Sequence, residues 1–85
     1  MFERNAPMDK ESMIIRSSIT GLEYDDKRCV HIWNGAQAAK YLGSGATLLD
    51  LFPGYAPKDN VYKICYVFSR EDHDMLYPLW CSHKL

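Results

Sequence analysis

The chain lacks an excess of charge of either sign: ten Lys and Arg stand against eleven Asp and Glu, giving a formal charge of −1. That balance suits neither a broad phosphate-binding surface nor an acidic mimic of nucleic acid. No apolar run approaches the roughly 18 to 20 residues that a bilayer crossing needs, so membrane integration is not expected. A glycine-rich phosphate loop, carboxylates paired in a recognisable frame and a nucleophile elbow are also missing, which argues against an enzyme. Cysteine is sparse and odd in number (Cys29, Cys65 and Cys81), and residues 1–12 are polar where a leader would be hydrophobic. A reduced, cytoplasmic protein is expected.

What the chain does have is apolar and aromatic content, 47% and 13% respectively, within 85 residues. One domain with one modest core fits this length, since so short a chain buries only about 60 to 65% of its unfolded surface. Six tyrosines are more than that core can hold, so some belong at the surface or an interface.

Residues 61–68 (Val-Tyr-Lys-Ile-Cys-Tyr-Val-Phe) carry a single charge among β-branched and aromatic neighbours, the composition of a central strand. Residues 1–12 read as a flexible arm and residues 13–85 as the domain. A short β-prone run over 13–19 is closed by Thr20-Gly21, and residues 25–28 form a charged turn. Cys29 to Trp33 alternates with period two, so that Val30 and Ile32 face one way and Cys29, His31 and Trp33 the other. Asn34 caps a short helix over 36–42, with Gln37 completing a capping box, Ala38, Ala39 and Leu42 as its apolar stripe, and Gly43 as its left-handed stop. Residues 47–52 read as a strand ended by a Pro53-Gly54 type II turn, and the next strand follows as an antiparallel partner. Ser69 and Asp72 mark the start of a last helix with Met75, Leu76, Leu79, Trp80 and His83 as its stripe; Pro78 predicts a kink or restart near 74–78.

The fold expected is therefore α+β: a three- to four-stranded antiparallel sheet with two helices packed on one face, in the order β-α-β-β-α. From Cys29 onward, the short β run, Asn34, Gln37-Ala38, Tyr41 and Gly45, the Leu49-Asp50-Leu51 strand, Tyr66-Val67-Phe68, Arg70-Glu71-Asp72 and Trp80 resemble a family of small uncharacterised proteins from phages and mobile elements of Gram-positive bacteria. The resemblance covers about two-thirds of the chain. It implies no catalytic residues, and it implies a small inhibitor of a host enzyme or defence complex, an anti-CRISPR protein being one example.

Several constellations invite chemistry, and each has a plainer reading. Cys29-Val-His31 and Cys81-Ser-His83 would together supply four zinc ligands, but residues two apart on a helix point about 200° apart, so no metal or other cofactor is expected. Cys65 beside His31 could be a nucleophile and its base, or a core thiol beside a solvent-facing imidazole. The cluster of residues 71–74 is explained by capping. Residues 63–68 echo the aromatic strand of RNA-recognition sheets, which makes single-stranded nucleic-acid binding the alternative function. The main expectation is non-catalytic protein binding through the sheet face away from the helices, presenting His31, Trp33, Leu48, Asp50, Phe52, Lys63 and Cys65. Of these, His31, Trp33, Asp50, Phe52 and Lys63 are the expected contacts with a host protein or complex. A homodimer, or the run over 13–19, is the other expected cover for that face.

Overall fold

The structure is a computed structural model that describes residues 13–85. The expected arm over residues 1–12 lies outside the described residues. The fold is α+β: β1 (Ile14–Arg16), β2 (Glu23–Asp25), β3 (Cys29–Ile32), α1 (Gly35–Gly43), β4 (Asp50–Tyr55), β5 (Tyr62–Ser69) and α2 (Arg70–Cys81), with a 3-10 turn at Asp26–Arg28. β5 is the centre of a three-stranded antiparallel sheet ordered β3-β5-β4. β1 and β2 do not extend that sheet; they form a separate antiparallel hairpin. No helix among the described residues is long and apolar enough to cross a membrane.

Strand pleating sorts the core into two layers. On one face Ile32 and Phe68, with Val30 and Tyr66 beside them, pack against Ala38 and Tyr41 of α1 and Leu76 and Trp80 of α2. Ile64 shares that face with Tyr66 and Phe68 but lies beyond the helices and is exposed. On the opposite face Cys29, Cys65 and Val67 pack under Ile15 and Tyr24 of the hairpin, with Trp33 and Phe52 at the margin. Burial on both faces is why β5 reads so strongly as a central strand. Leu48, expected on the second face, joins the helix layer.

Both helix starts follow the expected caps: Asn34 Oδ1 accepts from the amides of Ala36 and Gln37, and Ser69 Oγ accepts from the Asp72 amide. The reciprocal halves of the two capping boxes are not formed. Gln37 Nε2 instead donates to Tyr41 Oη at 3.0 Å, and Asp72 Oδ2 accepts from the Thr47 amide at 3.2 Å. Gln37 thus bonds one turn along its own helix and Asp72 makes a tertiary contact, and the inward faces turn accordingly. α1 buries Gln37, Ala38 and Tyr41 and leaves Ala39 and Leu42 exposed, and α2 buries Leu76 while Met75 and Leu79 are exposed.

The helix ends need correction as well. Gly45, with φ +99°, is the left-handed residue after α1, and Ala46 donates back to the Tyr41 carbonyl; Gly43 is helical. α2 ends the same way around His83, φ 60°, with Lys84 donating to the Leu79 carbonyl. α2 runs through Pro78 without the expected restart. Pro78 lies in the last turns on an exposed side, where water can satisfy the carbonyl it leaves unbonded.

Pro53-Gly54 is not a turn. Both residues lie inside β4, opposite Ile64 and Lys63. β4 is an edge strand, which tolerates a proline because an outward-facing N–H needs no partner. The reversal comes later, at residues 56–61, where Asn60 takes φ 56° and the Ala56 amide bonds the Val61 carbonyl.

Candidate functional site

The hairpin covers only part of the second face. Beyond it, the alternation of β3, β4 and β5 brings His31, Trp33, Phe52 and Lys63 to one side. Phe52 is the hub: the His31 ring meets it edge-on at 5.9 Å and the Trp33 ring at 6.3 Å. Trp33 closes β3 just before the α1 cap and lies over Gly54 so closely that an added Cβ there would sit 3.3 Å from its ring. Glycine is what allows the indole edge to approach the strand this closely.

Trp33 stands between two hollows. The larger, about 350 Å³, is lined by His31, Asn34 and Gln37 on one side and by the 56–59 turn and Lys63 on the other. The smaller, about 220 Å³, lies between Trp33, Gly35, Lys63, Ile64 and Tyr66. Lys63 borders both and pairs with Asp59 across 3.6 Å. Such a surface offers a ring edge and a cation with its counterion beside loop groups.

Asp50 belongs elsewhere. Its carboxylate accepts from Ser17 Oγ and Tyr24 Oη, each at 2.7 Å, and from the Leu51 amide at 2.8 Å. Burial would raise its pKa, but these three donors outweigh it and hold the carboxyl below the usual range. Asp50 thus anchors the hairpin to the sheet. Ser17, itself buried, also accepts from the amides of Ile19 and Thr20, and Thr20 Oγ1 donates to the Leu49 carbonyl at 2.7 Å.

The thiols sort by burial. Cys65 has no exposure, and burial pushes its thiol up to about 12, the opposite of an activated nucleophile. Cys29 rises to about 11, from burial first and then from Asp26. Cys81 is exposed. Among the described residues, Cys81 and His83 do not join Cys29 and His31 in one ligand cluster; Asp26 does, its carboxylate, the Cys29 Sγ and a His31 nitrogen all lying within 4.8 Å of one another. In sequence Asp26 reads as a residue of the charged turn, and the spacing Asp-x-x-Cys-x-His is the signal that links it to Cys29 and His31. Asn34 and Gln37 were also missed as lining groups because they read as helix caps, and the 56–59 turn because only the pairing of β4 with β5 brings it opposite Trp33.

His73 is drawn inward and not toward its acidic neighbours. Its Nδ1 lies 2.8 Å from Tyr41 Oη, extending the Gln37–Tyr41 bond into a three-residue chain between the helices. The fold is a small α+β domain whose sheet face is only partly covered by the hairpin. Compared with known proteins, the chain matches no protein-family model, no curated protein and no solved structure.

Proposed function

We propose that the chain is a small non-catalytic protein-binding module whose contact face is formed by His31, Trp33, Phe52 and Lys63. The observation that supports this reading is the half-buried Trp33 ring, flanked by two hollows on the part of the sheet that the hairpin leaves open. Rigid aromatic anchors beside a polar rim are the residues that dominate association energies. A near-neutral chain also favours a protein partner over a polyanion. The resemblance to phage and mobile-element proteins supports an inhibitor that occludes a host enzyme or defence complex in the host cytoplasm, as anti-CRISPR proteins do.

The alternative is single-stranded nucleic-acid binding through the rings of residues 63–68; the full burial of Phe68 and the partial packing of Tyr66 into the helix layer favour the protein-binding reading over it. Affinity capture from host lysate, with the bound protein identified and its binding then measured with purified components, tests the reading. Trp33→Ala is expected to abolish that binding while circular dichroism stays unchanged, and Tyr77→Ala, on exposed α2, is expected to leave it intact. Undiminished binding by Trp33→Ala would move the site off this face.

A further inference from the structure

The sharpest cluster of metal-ligating groups in the described chain is local, built from six consecutive residues. The 3-10 turn Asp26–Arg28 presents the Asp26 carboxylate directly before β3. Cys29 and His31, two apart on that strand, project to the same side of the sheet as each other. Asp26 Oδ1 lies 3.9 Å from Cys29 Sγ and 3.5 Å from His31 Nε2, and the three ligand atoms all lie within 4.8 Å. Tetrahedral zinc with these donor types requires ligand-to-ligand separations of roughly 3.3 to 3.6 Å. The Asp26–His31 pair falls in that range and the Asp26–Cys29 pair lies just beyond it.

We propose that Asp26 Oδ1, Cys29 Sγ and His31 Nε2 form a three-ligand zinc site with its fourth position open to water. The donor set selects the metal: a thiolate and an imidazole disfavour magnesium and calcium, which take oxygen ligands, whereas one sulfur, one nitrogen and one carboxylate oxygen suit zinc. Charge closes as well, because a carboxylate and a thiolate neutralise the dication once the Cys29 proton has left to solvent. Asp25, the neighbouring carboxylate, is committed to the amides of Met13 and Lys27 and leaves the ligand role to Asp26. This inference goes beyond the binding reading above and is tested without any partner.

The experiment is titration of the reduced full-length chain with cobalt(II) as a spectroscopic probe, followed by displacement with zinc against a chromophoric chelator. The expected result is one equivalent bound, with a thiolate-to-cobalt charge-transfer band and visible bands of tetrahedral intensity. His31→Ala, at an exposed position, is expected to keep the fold and weaken binding by roughly tenfold or more; Cys29→Ser is expected to abolish the charge-transfer band. Cys81→Ser is expected to change nothing. Absence of the charge-transfer band in the native chain would overturn the site, as would its loss in Cys81→Ser or its persistence in Cys29→Ser.

Discussion

Tyr24 Oη donates to Asp50 Oδ2 across 2.7 Å, and this contact, with the parallel one from Ser17, fastens the β1–β2 hairpin to the edge of the main sheet. The hairpin covers Cys29, Cys65 and Val67 through little apolar area of its own, chiefly Ile15 and Tyr24. Its docking therefore leans on a charged acceptor shared by two hydroxyls.

Asp50→Ala is expected to destabilise the domain by about 2–3 kcal/mol, since it leaves the buried Tyr24 and Ser17 hydroxyls without their acceptor. Tyr24→Phe keeps the ring and is expected to cost about 1.5 kcal/mol. Urea midpoints measure both. Equal midpoints for Asp50→Ala and the native chain would show that the hairpin is held by packing alone.

Two separate pH windows follow from His73 and Asp50. Burial lowers the His73 pKa below its ordinary 6.5, so the unfolded chain takes up this proton first. Stability is expected to decline as pH falls through 6.5 toward the folded value, and His73→Phe should flatten that slope while lowering the plateau, because Tyr41 loses its partner. Asp50 acts with the same sign in a lower window: its folded pKa lies below 3.8, so its contribution is present above that value and is lost as pH falls through the folded pKa. Asp25, held low by the amides of Met13 and Lys27, shares this acid window. Asp50→Asn is thus expected to reduce the acid slope without removing it, and to leave the His73 window untouched. Stability measured by chemical denaturation across pH 2–8 separates the two.

The parts of the fold legible in the sequence are those set by neighbours close in the chain. β5 announced itself through apolar residues on both faces, and Asn34 and Ser69 announced the helices because a cap bonds an amide two or three residues away. Readings failed where a distant partner decided. His73 reads as part of a capped, solvated first turn, yet it bonds Tyr41 from 32 residues away, while Gln37, read as half of a capping box, bonds Tyr41 one helical turn on. Together they rotate the buried faces of α1 and α2 away from the purely apolar stripes. Pro53-Gly54 has the composition of a turn, but an edge strand can take the proline and the Trp33 ring takes the space above the glycine. Period-two alternation did bring His31, Trp33, Phe52 and Lys63 to one face. It could not show that Asp50, on the same face, would be claimed by the hairpin.

The two glycines near the end of α1 are expected to respond in opposite directions to alanine. Gly43 is helical with open space around its Cα, so Gly43→Ala should stabilise by up to about 0.5–1 kcal/mol by lowering the entropy of the unfolded chain. Gly45 sits at φ +99°, where a Cβ is strained whatever the space, so Gly45→Ala should cost about 1–2 kcal/mol. Thermal midpoints of the two variants give the comparison. Matching signs would contradict the chain reversal at Gly45.

Gly54 links stability to the binding face. A Cβ added there meets Trp33 Cη2 at 3.3 Å and Cζ3 at 3.7 Å, so the indole must shift by a few tenths of an ångström to admit alanine. Replacing glycine also lowers the entropy of the unfolded chain by about 0.4–1 kcal/mol, and the two effects should nearly cancel in Gly54→Ala. Valine adds two methyl groups that this shift cannot absorb. If the ring stays down, overpacking should cost about 1–3 kcal/mol; if it lifts, the fold is spared and the indole moves into the hollows beside Lys63. In a Trp80→Phe background, where Trp33 is the sole indole, lifting reads as a red shift of the emission. A red shift with an unchanged urea midpoint, accompanied by loss of partner binding, is the outcome expected if the close seating of Trp33 against Gly54 is what keeps the contact face open. Unchanged emission together with unchanged binding would mean that the hollows on either side of the ring play no part in recognition.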